Sequence, residues 1–143
     1  MLFIIDEVNM ILAAKDQIYS MTSHTQTPQT IKRSSKIPEH IRSIIQQFAN
    51  ESKSVLQDHL IAEYLFGSYA METYTSESDI DILILVDQFT PEMRRQMSKL
   101  ASEYSLNYNV YISPIIKDRQ VWAQNQRYNT LFYQDVMHYG IAL

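Results

Sequence analysis

The chain has 143 residues, 45% of them apolar, and a net charge of -4, a balance that suits one globular domain with its own core. It contains no cysteine, so disulfides, thiolate zinc sites and cysteine nucleophiles are excluded. The 16 acidic residues outnumber the 12 basic ones and no basic stripe is sustained, so the electrostatic footprint of a duplex nucleic-acid binder is missing.

From the N-terminus, Ile4, Ile5, Val8, Ile11, Leu12, Ile18 and Tyr19 recur at three- and four-residue steps and predict a helix over about 4–20. Asp6, Glu7, Lys15 and Asp16 break its apolar run well short of the ~20 residues a membrane span needs, and the front end is not basic. The expectation is a soluble cytoplasmic protein that does not engage membranes. Residues 22–36 are polar, hold Pro28 and show no period, so residues 1–36 read as an N-terminal helix and polar linker ahead of a main domain over 37–143. The four histidines, His24, His40, His59 and His138, are scattered without metal-ligand spacing.

Pro38 stands at the start of a helix whose apolar face is Ile41, Ile44, Ile45 and Phe48. Leu60 to Phe66 then reads as a strand ending at Gly67. Asp79 to Val86 is a second strand, and its alternation sends Ile80, Ile82, Ile84 and Val86 to one face and Asp79, Asp81, Leu83 and Leu85 to the other. Thr90-Pro91-Glu92 is a helix start, with a capping hydroxyl, proline in the first turn and an acid at the positive end of the dipole. Met93, Met97, Leu100, Ala101 and Tyr104 give that helix its buried stripe. A third strand is expected over about 108–116, where Pro114 indicates an edge or a bulge. Thr130 to Tyr139 predicts a last helix, closed by Gly140 as a left-handed cap with Ile141 alongside. Eight aromatic residues between Tyr104 and Tyr139 crowd this region, with core packing as the default reading.

Average usage predicts roughly ten glycines in such a chain, yet only Gly67 and Gly140 occur. With Gly140 assigned to a helix end, Gly67 is left for chemistry. A Gly67-Ser68 turn offers backbone N–H groups and a hydroxyl to phosphates. Asp79 and Asp81 lie about 6.5 Å apart along one strand face, where like charges raise each other's cost of ionisation unless a cation lies between them. Magnesium suits such a pair, because it takes one or two carboxylates together with substrate phosphates.

The run Leu65-Phe66-Gly67-Ser68-Tyr69-Ala70, followed by Ser78-Asp79-Ile80-Asp81 and an apolar strand, resembles the signature of the polymerase-β-like nucleotidyltransferases, and most of all the minimal nucleotidyltransferases. The resemblance covers about residues 40–143 and is most specific over 64–86. It implies an α/β (α+β) fold, a small mixed sheet with helices, in which Gly67 and Ser68 hold nucleotide phosphates and Asp79 and Asp81 ligate Mg2+ and serve catalysis. There are two departures. Met71 and Glu72 follow Ala70 where relatives often carry Arg-Gly, and no Asp or Glu lies between Glu103 and Asp118 to supply the third acid that active members draw from the next strand. Asn107 and Asn109 stand in that region, with Asn109 the candidate third-acid position, and an amide coordinates but takes no proton.

The resemblance implies transfer of AMP from ATP to a hydroxyl of a partner protein, in the manner of antitoxins that work with a helical HEPN-type toxin. A second reading is a nucleotide-binding antitoxin or scaffold module that has lost catalysis with the third acid. A third is an enzyme modifying a small molecule, which in antibiotic-modifying relatives uses an extra helical domain to complete the acceptor pocket. The first helix could carry a partner or homo-oligomer contact.

Overall fold

The computed structural model describes residue 31 and residues 36–143. The expected helix over 4–20 lies outside the described residues, as does most of the 22–36 segment. Ile31 and Ile37 are both buried in the main core, so apolar side chains just ahead of the first described helix pack onto the domain.

In chain order the elements are α1 (Glu39–Leu56), a 3-10 turn (Gln57–His59), β1 (Leu60–Phe66), α2 (Gly67–Met71), β2 (Ile80–Val86), α3 (Pro91–Tyr108), β3 (Ile112–Asp118), α4 (Arg119–Arg127), α5 (Leu131–Tyr139) and β4 (Ile141–Ala142). The strands form one mixed sheet in the order β3-β2-β1-β4. β1 runs antiparallel to β2 and β4, while β2 and β3 are parallel and joined through α3. This is the α+β architecture expected. Among the described residues, no helix is long and apolar enough to cross a membrane.

The period of two on β2 decides how the layers assemble. Ile80, Ile82, Ile84 and Val86 enter a core with Ile44, Ile45 and Phe48 of α1 and Met93, Met97, Leu100 and Tyr104 of α3. Leu83 and Leu85 face the opposite way, into a second core with Trp122 of α4 and Tyr133 and Val136 of α5. Each of these β2 side chains is at most 1% exposed, and full burial of a branched aliphatic stabilises by about 1.5–3 kcal/mol. Because the strand is covered on both faces, the register that brings Asp79 and Asp81 to one end of it is pinned from both sides.

The helix starts follow the sequence. Thr90 Oγ1 accepts from Met93 N–H at 3.2 Å to open α3, and Thr130 does the same for Tyr133 N–H at 3.2 Å to open α5. α4, which periodicity did not suggest, begins where Asp118 Oδ1 accepts from Val121 N–H at 2.9 Å.

Two expectations are corrected. The third strand begins at Ile112 rather than about 108, because α3 continues through Tyr108 and ends on Asn109 in the left-handed region, φ 52°. Pro114 does lie in an edge strand. Gly140 is not a left-handed cap: its φ is -58° and Ile141 goes straight into β4 opposite Leu65. Glycine is required there by space, since a Cβ would stand 2.2 Å from the Val136 carbonyl oxygen. Of the aromatic residues near the C-terminus, Tyr104, Trp122 and Tyr133 are core, whereas Tyr108, Tyr111, Tyr128 and Tyr139 are exposed.

Candidate functional site

The site forms where β1 ends and β2 begins. Antiparallel pairing sets Phe66 opposite Asp81, so the residue after Phe66 arrives beside the Asp81 carboxylate. That residue is Gly67, with φ +69°, and a Cβ built on it would stand 2.2 Å from Asp81 Oδ2. Only glycine fits: the backbone is left-handed and the neighbouring carboxylate occupies the side-chain volume. Gly67 and Asp81, fourteen positions apart in sequence, are thus in contact.

Gly67 also opens α2, a short helix with no side-chain cap at its N-terminus, followed by the half-buried Ser68. Unpaired N–H groups at a helix start favour anions. The helix ends on Glu72, left-handed at φ 61°, and Thr73 N–H donates to Ser68 C=O at 2.9 Å. Tyr69 and Tyr74 then stack with centroids 4.4 Å apart. Thr75 N–H bonds Ser78 Oγ at 2.8 Å, a tight turn that returns the chain to Asp79. The Tyr74 hydroxyl donates to Lys36 C=O at 2.8 Å, and Lys36 Nζ lies 2.8 Å from Glu72, so the chain before α1 is tied to the loop linking the glycine turn to the acids.

Asp79 is exposed just ahead of β2 and Asp81 is half-buried within it, on the face shared with Leu83 and Leu85. Burial pushes the Asp81 carboxyl up, and the negative charge of Asp79 pushes it further. Two neighbouring hard oxygen donors, one of them held against ionisation, form a donor set that suits magnesium together with a phosphate ligand. Among the described residues no third His, Asp or Glu gathers with them.

Asn109 occupies the α3 C-cap, where its N–H donates to Ser105 C=O at 3.1 Å and its left-handed backbone is tolerated as asparagine often is. The β3 residue registered beside Asp81 is Ser113, and the Tyr111 carbonyl accepts from Ile80 N–H at 2.7 Å. Ser113 went unmarked in the sequence because the strand was placed four residues too early.

The family described as polymerase beta, nucleotidyltransferase matches residues 43–135 of this chain. A Methanocaldococcus jannaschii protein named "Putative protein adenylyltransferase MJ0141" is 39% identical over 104 residues, which span 72% of this chain and 98% of that protein. A second protein of that archaeon, "Putative protein adenylyltransferase MJ0604", is 35% identical over 99 residues, 69% of this chain and 93% of its own length. A crystal structure of a toxin-antitoxin with AMP-PNP is similar over 68% of this chain and 70% of that one, with 21% identity and a TM-score of 0.47. With the match spanning both site segments and relatives aligned along nearly their whole length, the chain belongs to the polymerase beta nucleotidyltransferase family.

Proposed function

We propose that this protein is an adenylyltransferase that moves AMP from magnesium-bound ATP to a hydroxyl of another protein. The observation that supports the reading is the contact between Gly67 and Asp81, which sets the glycine-serine turn beside one of the two strand carboxylates. The names of the relatives in Methanocaldococcus jannaschii support protein as the acceptor class.

In this reading the N–H groups at the start of α2 and the Ser68 hydroxyl hold the triphosphate oxygens, and Asp79 and Asp81 hold magnesium against it. When bound, the ion would supply positive charge to phosphate oxygens whose negative charge grows during the displacement. The acceptor oxygen attacks the α-phosphorus in line, and the bond from that phosphorus to the bridging oxygen of the β-phosphate breaks. Pyrophosphate leaves with the electron pair, and the acceptor's proton passes to water. Asp81 would serve in its ionised form, which burial and Asp79 disfavour and which a cation held by the two acids would favour. We extend the acceptor to a helical HEPN-type toxin on the resemblance to antitoxin nucleotidyltransferases.

A second reading, a nucleotide-binding module without transfer, is favoured by one observation: Ser113, not an acid, is registered beside Asp81. Incubation with α-labelled ATP, magnesium and a candidate partner separates the two. Label on the partner that disappears in Asp79→Asn/Asp81→Asn supports transfer. Label that persists in the double variant overturns the site, and Mg-ATP binding without label supports the module.

A further inference from the structure

Asp79, one of the two candidate catalytic acids, lies at one end of a groove between α3 and β3. Its wider part, about 430 Å³, is lined by Asp79, Tyr111, Ser113 and the α3 serines Ser98, Ser102 and Ser105. A narrower part of about 220 Å³ shares Ser98 and Pro114 with the first and continues past Ile116 to Arg94. The two parts form one channel with a carboxylate at its head and a guanidinium at its tail. Ser98, Ser102 and Ser105 fall on one helix face by their spacing and keep that wall free of bulk.

The opposite wall is a sheet edge. Among the described residues β3 is the outer strand, paired on one side with β2. The Ile80 N–H to Tyr111 C=O bond shows which β3 residues turn their backbone inward. In a parallel ladder inward and outward residues alternate, so Tyr111, Ser113 and Ile115 face β2, whereas Ile112, Pro114 and Ile116 present their backbone groups outward. Pro114 contributes no N–H and blunts indiscriminate pairing, but Ile112 and Ile116 retain donor and acceptor on either side of it. An extended chain adding to such an edge gains backbone hydrogen bonds irrespective of its sequence.

We propose that this groove is the acceptor channel, taking an extended segment of the substrate protein as an added strand on β3, with its target hydroxyl at the Asp79 end and an acidic side chain about four residues away at Arg94. Two features select this occupant. The channel opens on Asp79, one of the two candidate catalytic acids, so whatever fills it brings a side chain beside the proposed magnesium site. Its length from Ile112 to Ile116 is about 13 Å at ~3.3 Å per strand residue, which sets the spacing between hydroxyl and acid. The inference rests on adenylyl transfer to protein and names the form of the acceptor.

The test uses the full chain with α-labelled ATP, magnesium and an array of ten-residue peptides, each with one Ser, Thr or Tyr. Peptides with Glu four residues from the hydroxyl should label at least fivefold more than those with Lys there. Arg94→Glu, a change at an exposed helix position, should reverse that preference while Mg-ATP affinity by calorimetry stays unchanged. The best peptide should slow amide exchange at Ile112 and Ile116 at least tenfold and leave Ser113 and Ile115 unaffected. Labelling that is blind to Arg94→Glu, or exchange that is unchanged at Ile112 and Ile116, overturns the channel and leaves adenylylation standing. Label on folded proteins or on RNA but on no peptide also overturns it. A wild-type chain that binds Mg-ATP and labels nothing overturns the transfer reading, and the channel falls with it.

Discussion

Glu63 in β1 is 3% exposed, and its neutralisation makes stability depend on pH in a calculable way. Its Oε1 meets Ser52 Oγ of α1, its Oε2 has no partner, and Lys53 is the cation acting on it. Ser52 Oγ also lies 2.9 Å from the Ala49 carbonyl. Ser52 Oγ donates to Glu63 Oε1, a bond that favours the ionised carboxylate. Burial outweighs it and raises the carboxyl from 4.5 to about 7, with Ser52 and Lys53 opposing only in part. At 1.36 kcal/mol per pH unit the shift is worth about 3 kcal/mol. The folded state holds this proton more tightly than the unfolded chain. The contribution is therefore complete below about pH 4.5, declines as pH rises toward 7, and is lost above it. Glu63→Gln removes the ionisation and keeps the shape. Urea unfolding of both proteins at pH 5 and pH 8 should show the variant gaining about 2.5 kcal/mol relative to wild type between the two. A stability difference between them that is the same at both pH values would refute the reasoning, because every other titrating group is common to the pair.

Gly67→Ala adds a Cβ at φ +69° and 2.2 Å from Asp81 Oδ2. The left-handed backbone alone costs about 1–2 kcal/mol, so urea unfolding should show at least that loss, with transferase labelling down tenfold or more. Near-wild-type stability and labelling would mean the turn and carboxylate are not in contact in solution. Ser68→Ala removes a hydroxyl from the proposed phosphate cradle and should weaken Mg-ATP binding by calorimetry about five- to tenfold, the equivalent of roughly 1 kcal/mol for one hydrogen bond. Unchanged affinity would remove Ser68 from the site. Gly140→Ala meets the Val136 carbonyl oxygen at 2.2 Å. It should destabilise by roughly 1–3 kcal/mol with Mg-ATP affinity intact, and a rise in melting temperature would contradict the crowding at that position.

Local chemistry wrote much of this protein directly into its sequence. Period-two alternation assigned β2 and both of its faces, Thr90 and Thr130 marked helix starts through hydroxyls that reach the third N–H, and the shortage of glycine singled out Gly67. The end of α3 was not legible, because Leu106-Asn107-Tyr108-Asn109 fits a strand approach as well as a helix terminus. Only packing of Leu100 and Tyr104 against α1 carries the helix that far. Gly140 was misjudged for a related reason. A glycine after a helix suggests a backbone angle, but here a neighbouring carbonyl fills the space.

What residue order determined alone was the inventory of the site: a glycine-serine turn, two acids on one strand face and no acid between Glu103 and Asp118. What the tertiary structure decided was adjacency. The antiparallel register of β1 on β2 set Gly67 against Asp81, the parallel register of β2 on β3 set Ser113 beside the same acid, and the position of β3 at the sheet edge left a groove open toward Asp79. Register is fixed by burial on both faces of β2 at once, a constraint spread over five helices and four strands that no local stretch of sequence contains.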